Sequence, residues 1–292
     1  MAQSPSHKFG QDLGKLIESI VLEDILKPRL QEFTQANKYY LDAQGYRPAR
    51  QGKKVTWQDK YGNTHDLDFV IEADGTDDQI GQPVAFIESA WRRYTKHSKN
   101  KVQEIQAALL PIIELHQLSA PFYGAVLAGD FTKPALEQLK NNGFAVIFIP
   151  YQDVVMAFRK IDFDIAFNEQ TSDKIYSQAC RKLADLNETN QDLLRQALIE
   201  VSKAEIEQFM EKLKNCLERY ITQIFVIPLF GTSYNFESLE DVLTALNQLD
   251  LNTPQGKFTK FEVRITYSNQ DTICATFEDK HRLETFLRRL ES

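Results

Sequence analysis

Cysteine is scarce: Cys180, Cys216 and Cys274 are the only three in 292 residues, and no two form a CxxC pair. That odd number and wide spacing argue against a disulfide framework or a zinc knot and fit a reducing cytoplasm. Long apolar runs are lacking too. No segment approaches the ~18 consecutive apolar residues expected of a membrane span, and MAQSPSHKFGQDLG has no apolar centre of the kind a secretory leader carries. There is no Walker sequence, GxSxG, HExxH or dinucleotide glycine fingerprint, which removes the motif-based case for those chemistries. The five histidines, His7, His65, His97, His116 and His281, show no metal-ligand spacing. Internal repeats and low-complexity tracts are absent. So is an excess of positive charge: the formal net charge of −7 argues against a generally sticky polyanion binder. It leaves room for a local basic groove, because phosphate affinity depends on where the cations cluster.

What is present reads as a soluble globular chain, prokaryotic and cytoplasmic, long enough for one large domain and a smaller one. Residues 11–35 have a helical stripe of Leu13, Leu16, Ile17, Ile20 and Val21, with Pro28 disturbing it. Asp24 falls on that stripe, an odd place for a carboxylate unless the stripe rotates. Residues 54–72 alternate as a hairpin with its turn at Lys60–Asn63, and 75–82 form a polar loop. PVAFIESA (83–90) suits a buried strand. Residues 98–118 predict a helix with Val102, Ile105, Leu109, Ile112, Ile113 and His116 on one face and a kink at Pro111. FYGAVLAG (122–129) and GFAVIFIP (143–150) flank a helix at 133–142, a βαβ unit that brings parallel strands into the sheet.

After about residue 165 the chain turns polar and helix-forming over 171–221. A β-α-β-β-α module follows: TQIFVIPLF, a helix at 236–248, strands at 257–267 and 271–278, and a helix at 280–290. The expected fold is α/β, a mixed sheet flanked by helices, plus a helical segment and a small α+β module. The expected boundaries are 1–165 for the core, 166–222 for a helical connector and 223–292 for the accessory module.

Two acidic positions stand out. Asp66 and Asp68 in HDLDFVI are expected on one face of the hairpin's second strand, opposite Leu67, Phe69 and Ile71. Glu88 ends the adjoining strand, and WRRYTKHSKNK (91–101) follows with five Lys/Arg and no acid. Carboxylates at neighbouring strand ends suit a hard divalent cation that keeps several waters, and the basic run suits phosphate. The plainer reading is two exposed acids and a solvated basic face. Trp91 and Tyr94 suit base stacking, although large aromatics at a helix start are more often core.

The order of elements around these acids resembles the PD-(D/E)xK nuclease superfamily over residues 10–165. Asp68, in Asp68-Phe69-Val70-Ile71, matches the acid of the second core strand, and Glu88, in Ala85-Phe86-Ile87-Glu88-Ser89-Ala90, matches the acid of the tripeptide on the third. The resemblance implies a restriction-endonuclease-like core, Mg²⁺ (with Mn²⁺ able to substitute) on Asp68 and Glu88, and hydrolysis of double-stranded DNA. It says nothing about 223–292. The chain departs from the pattern at Ala90, where the family's lysine belongs. Members of the superfamily relocate that lysine, often to the following helix. Here Lys101 lies about 60° from the centre of the buried direction, in the helix's first turn, which makes it the first choice for the vacated role. Arg92, Arg93, Lys96 and Lys99 are then assigned to phosphates, and Asp66 and Asp24 are candidate extra carboxylates. Glu104 points away from the buried direction and is not expected to bind metal.

The function implied is a type II restriction-like endonuclease, acting as a twofold homodimer because both DNA strands are cut. Two alternatives stand beside it: a catalytically silent nuclease fold that binds DNA or protein, and a repair or phage-defence nuclease.

Overall fold

The computed structural model describes residues 4–93, 98–168, 170–231 and 256–290. They fall into two compact units, Met1–Leu217 and Glu218–Ser292.

The first unit opens on helix α1 (Pro5–Ser19), whose N-cap Ser4 hydroxyl accepts from the His7 amide. A π-helical turn (Ile20–Leu26) joins it directly to α2 (Lys27–Ala36). Wider turns shift the phase of the buried stripe: Ile20, Val21, Ile25 and Leu26 stay inside while Asp24 leaves it. Pro28 follows the π turn directly, at the start of α2, and has no N–H to continue the helical ladder there. Strands β1 (Tyr39–Ala43), β4 (Phe69–Ala73), β5 (Gln82–Arg92), β6 (Phe122–Gly129) and β7 (Ala145–Pro150) form a mixed sheet in the order β1-β4-β5-β6-β7. The β1/β4 and β4/β5 pairs are antiparallel; β5/β6 and β6/β7 are parallel. A separate hairpin, β2 (Val55–Gln58) with β3 (Thr64–Leu67), carries the turn expected near residue 60.

Helices cover both faces of the sheet. Phe69, Ile71, Ala85, Ile87, Trp91, Val126, Ile147 and Ile149 share a core with α1, the π turn and α5 (Tyr151–Arg159), α6 (Asp173–Ala184) and α7 (Glu188–Leu217). Val70, Phe86, Ala90, Ala125, Leu127 and Val146 share the other with α3 (Ser98–Leu115) and α4 (Lys133–Asn141). The stretch expected as a connector is thus part of the first unit: Tyr176, Leu183, Leu194, Leu198, Ile206 and Phe209 are buried in its core. His116, expected in the core, is half-buried at its edge, its ring 5.9 Å from both Trp57 and Phe86, and desolvation holds its pKa down.

The expected single strand from Thr64 to Glu72 is in fact two, broken at Asp68. Leu67 belongs to the α3-side core and Phe69 to the opposite one. The alternation that would have put Asp66 and Asp68 on one face therefore fails at this residue.

Two glycines permit close approach beside the end of β5. A Cβ on Gly14 of α1 would lie 2.6 Å from the Trp91 ring. Gly129 has φ +107°, and a Cβ there would meet the Arg92 carbonyl oxygen at 1.9 Å. The next residue, Asp130, donates its amide to that same oxygen at 2.7 Å. Gly129→Ala is expected to destabilise the first unit by about 2–3 kcal/mol, combining a left-handed backbone with a backbone clash. Urea midpoints of the two proteins measure it; equal midpoints would contradict the assignment.

In the second unit β8 (Ile221–Phe230), β9 (Phe258–Tyr267) and β10 (Thr272–Phe277) form an antiparallel sheet in the order β10-β9-β8. Helix α8 (Lys280–Arg288) lies against β10, with Phe277 and Phe286 rings 5.1 Å apart. The helix expected at 236–248 lies outside the described residues.

Candidate active site

At residue 88 the strand β5 runs between β4 and β6, with Ile87 opposite Phe69 and Glu88 opposite Ala125. Asp68 stands at the break that starts β4. Its Oδ2 accepts the Ser89 amide at 2.7 Å, and its own backbone N–H bonds to the Glu88 carboxylate. The two acids are therefore locked side by side by the backbone of the strands that carry them.

A third carboxylate comes from α1. Glu18 lies one helical turn beyond Gly14, and the glycine lets the Trp91 strand end approach the helix. The backbone of Trp91 hydrogen-bonds the Glu18 carboxylate.

The electrostatics of this group are unusual. Burial raises the pKa of Glu88 to about 8, and the Asp68 charge adds to the shift. Burial also pushes Asp68 up, against the bonds from Ser89, and Glu18 is pushed up by burial and then by Asp68. Lys101 acts on all three in the opposite sense. Glu88 Oε2 is buried and has no hydrogen-bond partner. Three desolvated carboxylates, two of them repelling the third, favour either a bound proton or a cation. Among the described residues, no three His, Cys, Asp or Glu side chains converge tightly enough to form a ready-made metal cage. The arrangement suits Mg²⁺, which takes one or two carboxylates and keeps waters or phosphate oxygens for its remaining positions.

Ala90 is buried in the same core as Val102 and Ile105 of α3. Position 90 is thus a packed methyl, and Lys101, in the first turn of α3, acts on the carboxylates through its charge rather than by an ion pair within 4 Å. Lys101 also pairs with Glu104 at 3.5 Å, and Glu104 lies 3.9 Å from Arg92. Glu104 is mostly exposed and bonded to cations, which leaves it outside the acidic group.

The other expected site residues separate. Arg92 is half-buried and acts electrostatically on Glu18. Arg93, one residue on, projects to the opposite side of the strand and is only 6 % exposed. It donates to the Tyr176 hydroxyl at 2.9 Å and lies over the Phe9 and Tyr176 rings at 5.2 and 5.0 Å. That burial removes Arg93 from the phosphate-binding set; it ties β5 to α1 and α6. Lys99 is exposed in the first turn of α3. Lys96 and Tyr94 lie outside the described residues.

Asp66 is exposed on β3 and bonds Lys54 at 2.5 Å and the Thr56 hydroxyl at 2.7 Å; these partners hold its pKa down. Asp24 accepts from Arg195 of α7 at 2.9 Å. Both are committed to other partners, so neither joins Asp68 and Glu88.

Glu18 was the residue sequence reasoning missed. Its one signal was Gly14, an otherwise unfavourable glycine inside a helix, which marks close approach of another element.

No protein-family model matches the chain, and no curated protein matches it. Among solved structures it is similar to the crystal structure of AF1548, a protein of unknown function, at 10% identity and a TM-score of 0.27, over 61% of this chain and 95% of that one. A likeness that weak carries no weight for fold or activity.

Proposed function

We propose that the first unit is a metal-dependent deoxyribonuclease of the PD-(D/E)xK type, with a restriction-endonuclease-like core that cleaves double-stranded DNA at specific sequences. The observation that carries this reading is the acidic group itself: Asp68, Glu88 and Glu18, half-buried at the meeting of β4, β5 and α1, each with its pKa raised by desolvation and pulled back in part by the charge of Lys101. The mixed sheet supports it as well, because β4/β5 antiparallel and β5/β6 parallel with α1 before and α3 between is the element order the superfamily uses.

In this reading Asp68 and Glu88 would hold Mg²⁺, or Mn²⁺ in its place, with Glu18 adding negative charge nearby. The cation would neutralise charge developing on the scissile phosphate. Lys101 stabilises the transition-state oxygens and orients the attacking water, a role open to a cation at that place. Arg92 and Lys99 contact backbone phosphates on either side.

Incubation of supercoiled plasmid with the full chain tests the reading. Cleavage is expected with Mg²⁺ or Mn²⁺, none with EDTA and none for Asp68→Asn. Lys101→Ala is expected to lower the cleavage rate by about 10²–10³-fold with little change in DNA affinity. Discrete fragments mean sequence specificity, whereas a smear or structure-dependent nicking points to a repair or defence nuclease. DNA binding without cleavage under both metals would overturn the enzyme and leave a silent nuclease fold, the reading that Ala90 favours.

A further inference from the structure

We propose that β8 is the surface through which two copies of this chain associate, pairing edge to edge and antiparallel across a twofold axis. Among the described residues of the second unit the large exposed apolar side chains are gathered in one stretch. Tyr220 (69%), Ile224 (48%), Phe225 (45%), Val226 (41%), Ile227 (48%) and Phe230 (62%) all lie on or beside β8. Apolar residues are exposed on both faces of the strand: Ile224 and Val226 pair with Ile265 and Val263 of β9, while Phe225 and Ile227 pair with Arg264 and Glu262. The opposite edge of the sheet is different in kind. There β10 exposes Thr272, Cys274 and Thr276.

Edge strands of soluble proteins are ordinarily short, or blunted by charge, because an open edge invites pairing. Here β8 is ten residues long, ITQIFVIPLF, and carries no charged side chain. Among the described residues its outer edge has no neighbouring strand. Pro228 lacks an N–H and limits a new ladder to the stretch from Ile221 to Ile227. An antiparallel pair of identical strands is its own complement under a twofold axis, and an uncharged strand meets its copy without repulsion. Taking about 200 Å² for a fully exposed large apolar side chain, Ile224, Phe225, Val226 and Ile227 within that ladder present roughly 360 Å² per copy, or about 700 Å² for two, the size of a weak interface to which the ladder's hydrogen bonds add. The resulting six-stranded sheet would leave α8 and β10 at its two ends. This assignment is independent of the nuclease reading, since a chain without cleavage activity would still dimerise.

Sedimentation velocity on the full chain from about 1 to 100 μM tests it, across the range where a modest interface dissociates. A monomer–dimer equilibrium is expected for the wild type. Phe225→Lys combined with Ile227→Lys should weaken it at least tenfold, because both side chains are exposed and the pairing would bring four added positive charges together along one short ladder. Mixing that variant with Phe225→Glu/Ile227→Glu should restore a heterodimer. A wild type that stays monomeric throughout, or a lysine variant that dimerises as well as the wild type, overturns the proposal. Should the variants misfold, hydrogen exchange on the wild type decides. Protection of the 221–227 amides that rises with protein concentration supports the pairing. Protection independent of concentration assigns the edge to residues 232–255 of the same chain or to a different partner.

Discussion

Glu88→Gln is expected to abolish Mg²⁺-dependent cleavage, by about 10³-fold or more, and at the same time to make the metal-free protein more stable at alkaline pH. The two effects share one cause. The Glu88 carboxyl has its pKa raised from 4.5 to about 8 by burial and by the neighbouring Asp68. Between those two values the folded chain holds a proton that the unfolded chain has released. Stability of the wild type in EDTA therefore falls as pH rises from about 5 to 8. The loss is on the order of 3 kcal/mol, less than the full shift implies because the site borders solvent. Glutamine keeps the shape of the protonated acid and cannot ionise, so most of that slope should vanish. A smaller slope of the same sign remains from Asp68 and Glu18, whose pKa values are also raised. Urea denaturation of both proteins at pH 5, 6.5 and 8 in EDTA measures it. Equal slopes would show that Glu88 is not the group being desolvated. Added Mg²⁺ should restore stability to the wild type at pH 8 and not to the variant, because a ligand stabilises only the state that binds it.

How much of this site was legible in the sequence depends on what holds each residue in place. Asp68 and Glu88 were found because strand order and alternation act locally: a short apolar run that ends on an acid shows where that acid must sit. The break at Asp68 was not legible, since Leu67, Phe69 and Ile71 read as one continuous alternation until the sheet assigns Leu67 and Phe69 to different cores. Arg93 was misplaced for a related reason. The strand runs to Arg92, two residues past its expected end, and alternation then carries the Arg93 guanidinium in among Phe9 and Tyr176. Tyr176 is eighty-three residues away in sequence, a partner no local pattern indicates. Asp24 sat on the buried stripe only at a constant 100° per residue; the π turn removes it from there and gives it to Arg195. For Lys101 helical phase gave only a direction: Val102 and Ile105 fix the buried side of α3, but phase does not fix how far the ammonium reaches, and its ion pair is with Glu104.

The largest effect on stability is expected away from the site, at Arg47. Its side chain is 2% exposed. The guanidinium forks onto Glu72, Nη1 to Oε1 at 2.7 Å and Nη2 to Oε2 at 2.9 Å, and Nη1 also meets Asp42 at 2.9 Å. It donates to the Thr76 carbonyl from Nε and Nη2 and to the Gln79 carbonyl from Nη2, and it lies 4.1 Å from the Tyr40 ring centroid. One planar cation thus ties β1 and β4 to the loop that leads into β5, while Gly81 donates its amide to the same Glu72. Arg47→Ala leaves two buried carboxylates, only one of which has another cation, Arg50, within reach of Asp42. Breaking a buried pair from one side costs about 3–5 kcal/mol, far more than its net contribution when intact. Arg47→Lys should recover little, because an ammonium cannot reproduce the fork or reach both carbonyls. Glu72→Gln added to Arg47→Met should recover more, since it removes the stranded charge along with its partner. The cluster sits at the Ala73–Gln82 end of β4 and β5, the end opposite Asp68 and Glu88. Cleavage per folded molecule, measured well below the melting temperature, should therefore stay within about twofold of wild type. A loss under 1 kcal/mol for Arg47→Ala in urea would mean that water or a rearranged loop already satisfies Glu72. A cleavage defect that persists when the protein is fully folded would mean instead that the β4–β5 loop sets the position of the acids at the far end of the same two strands.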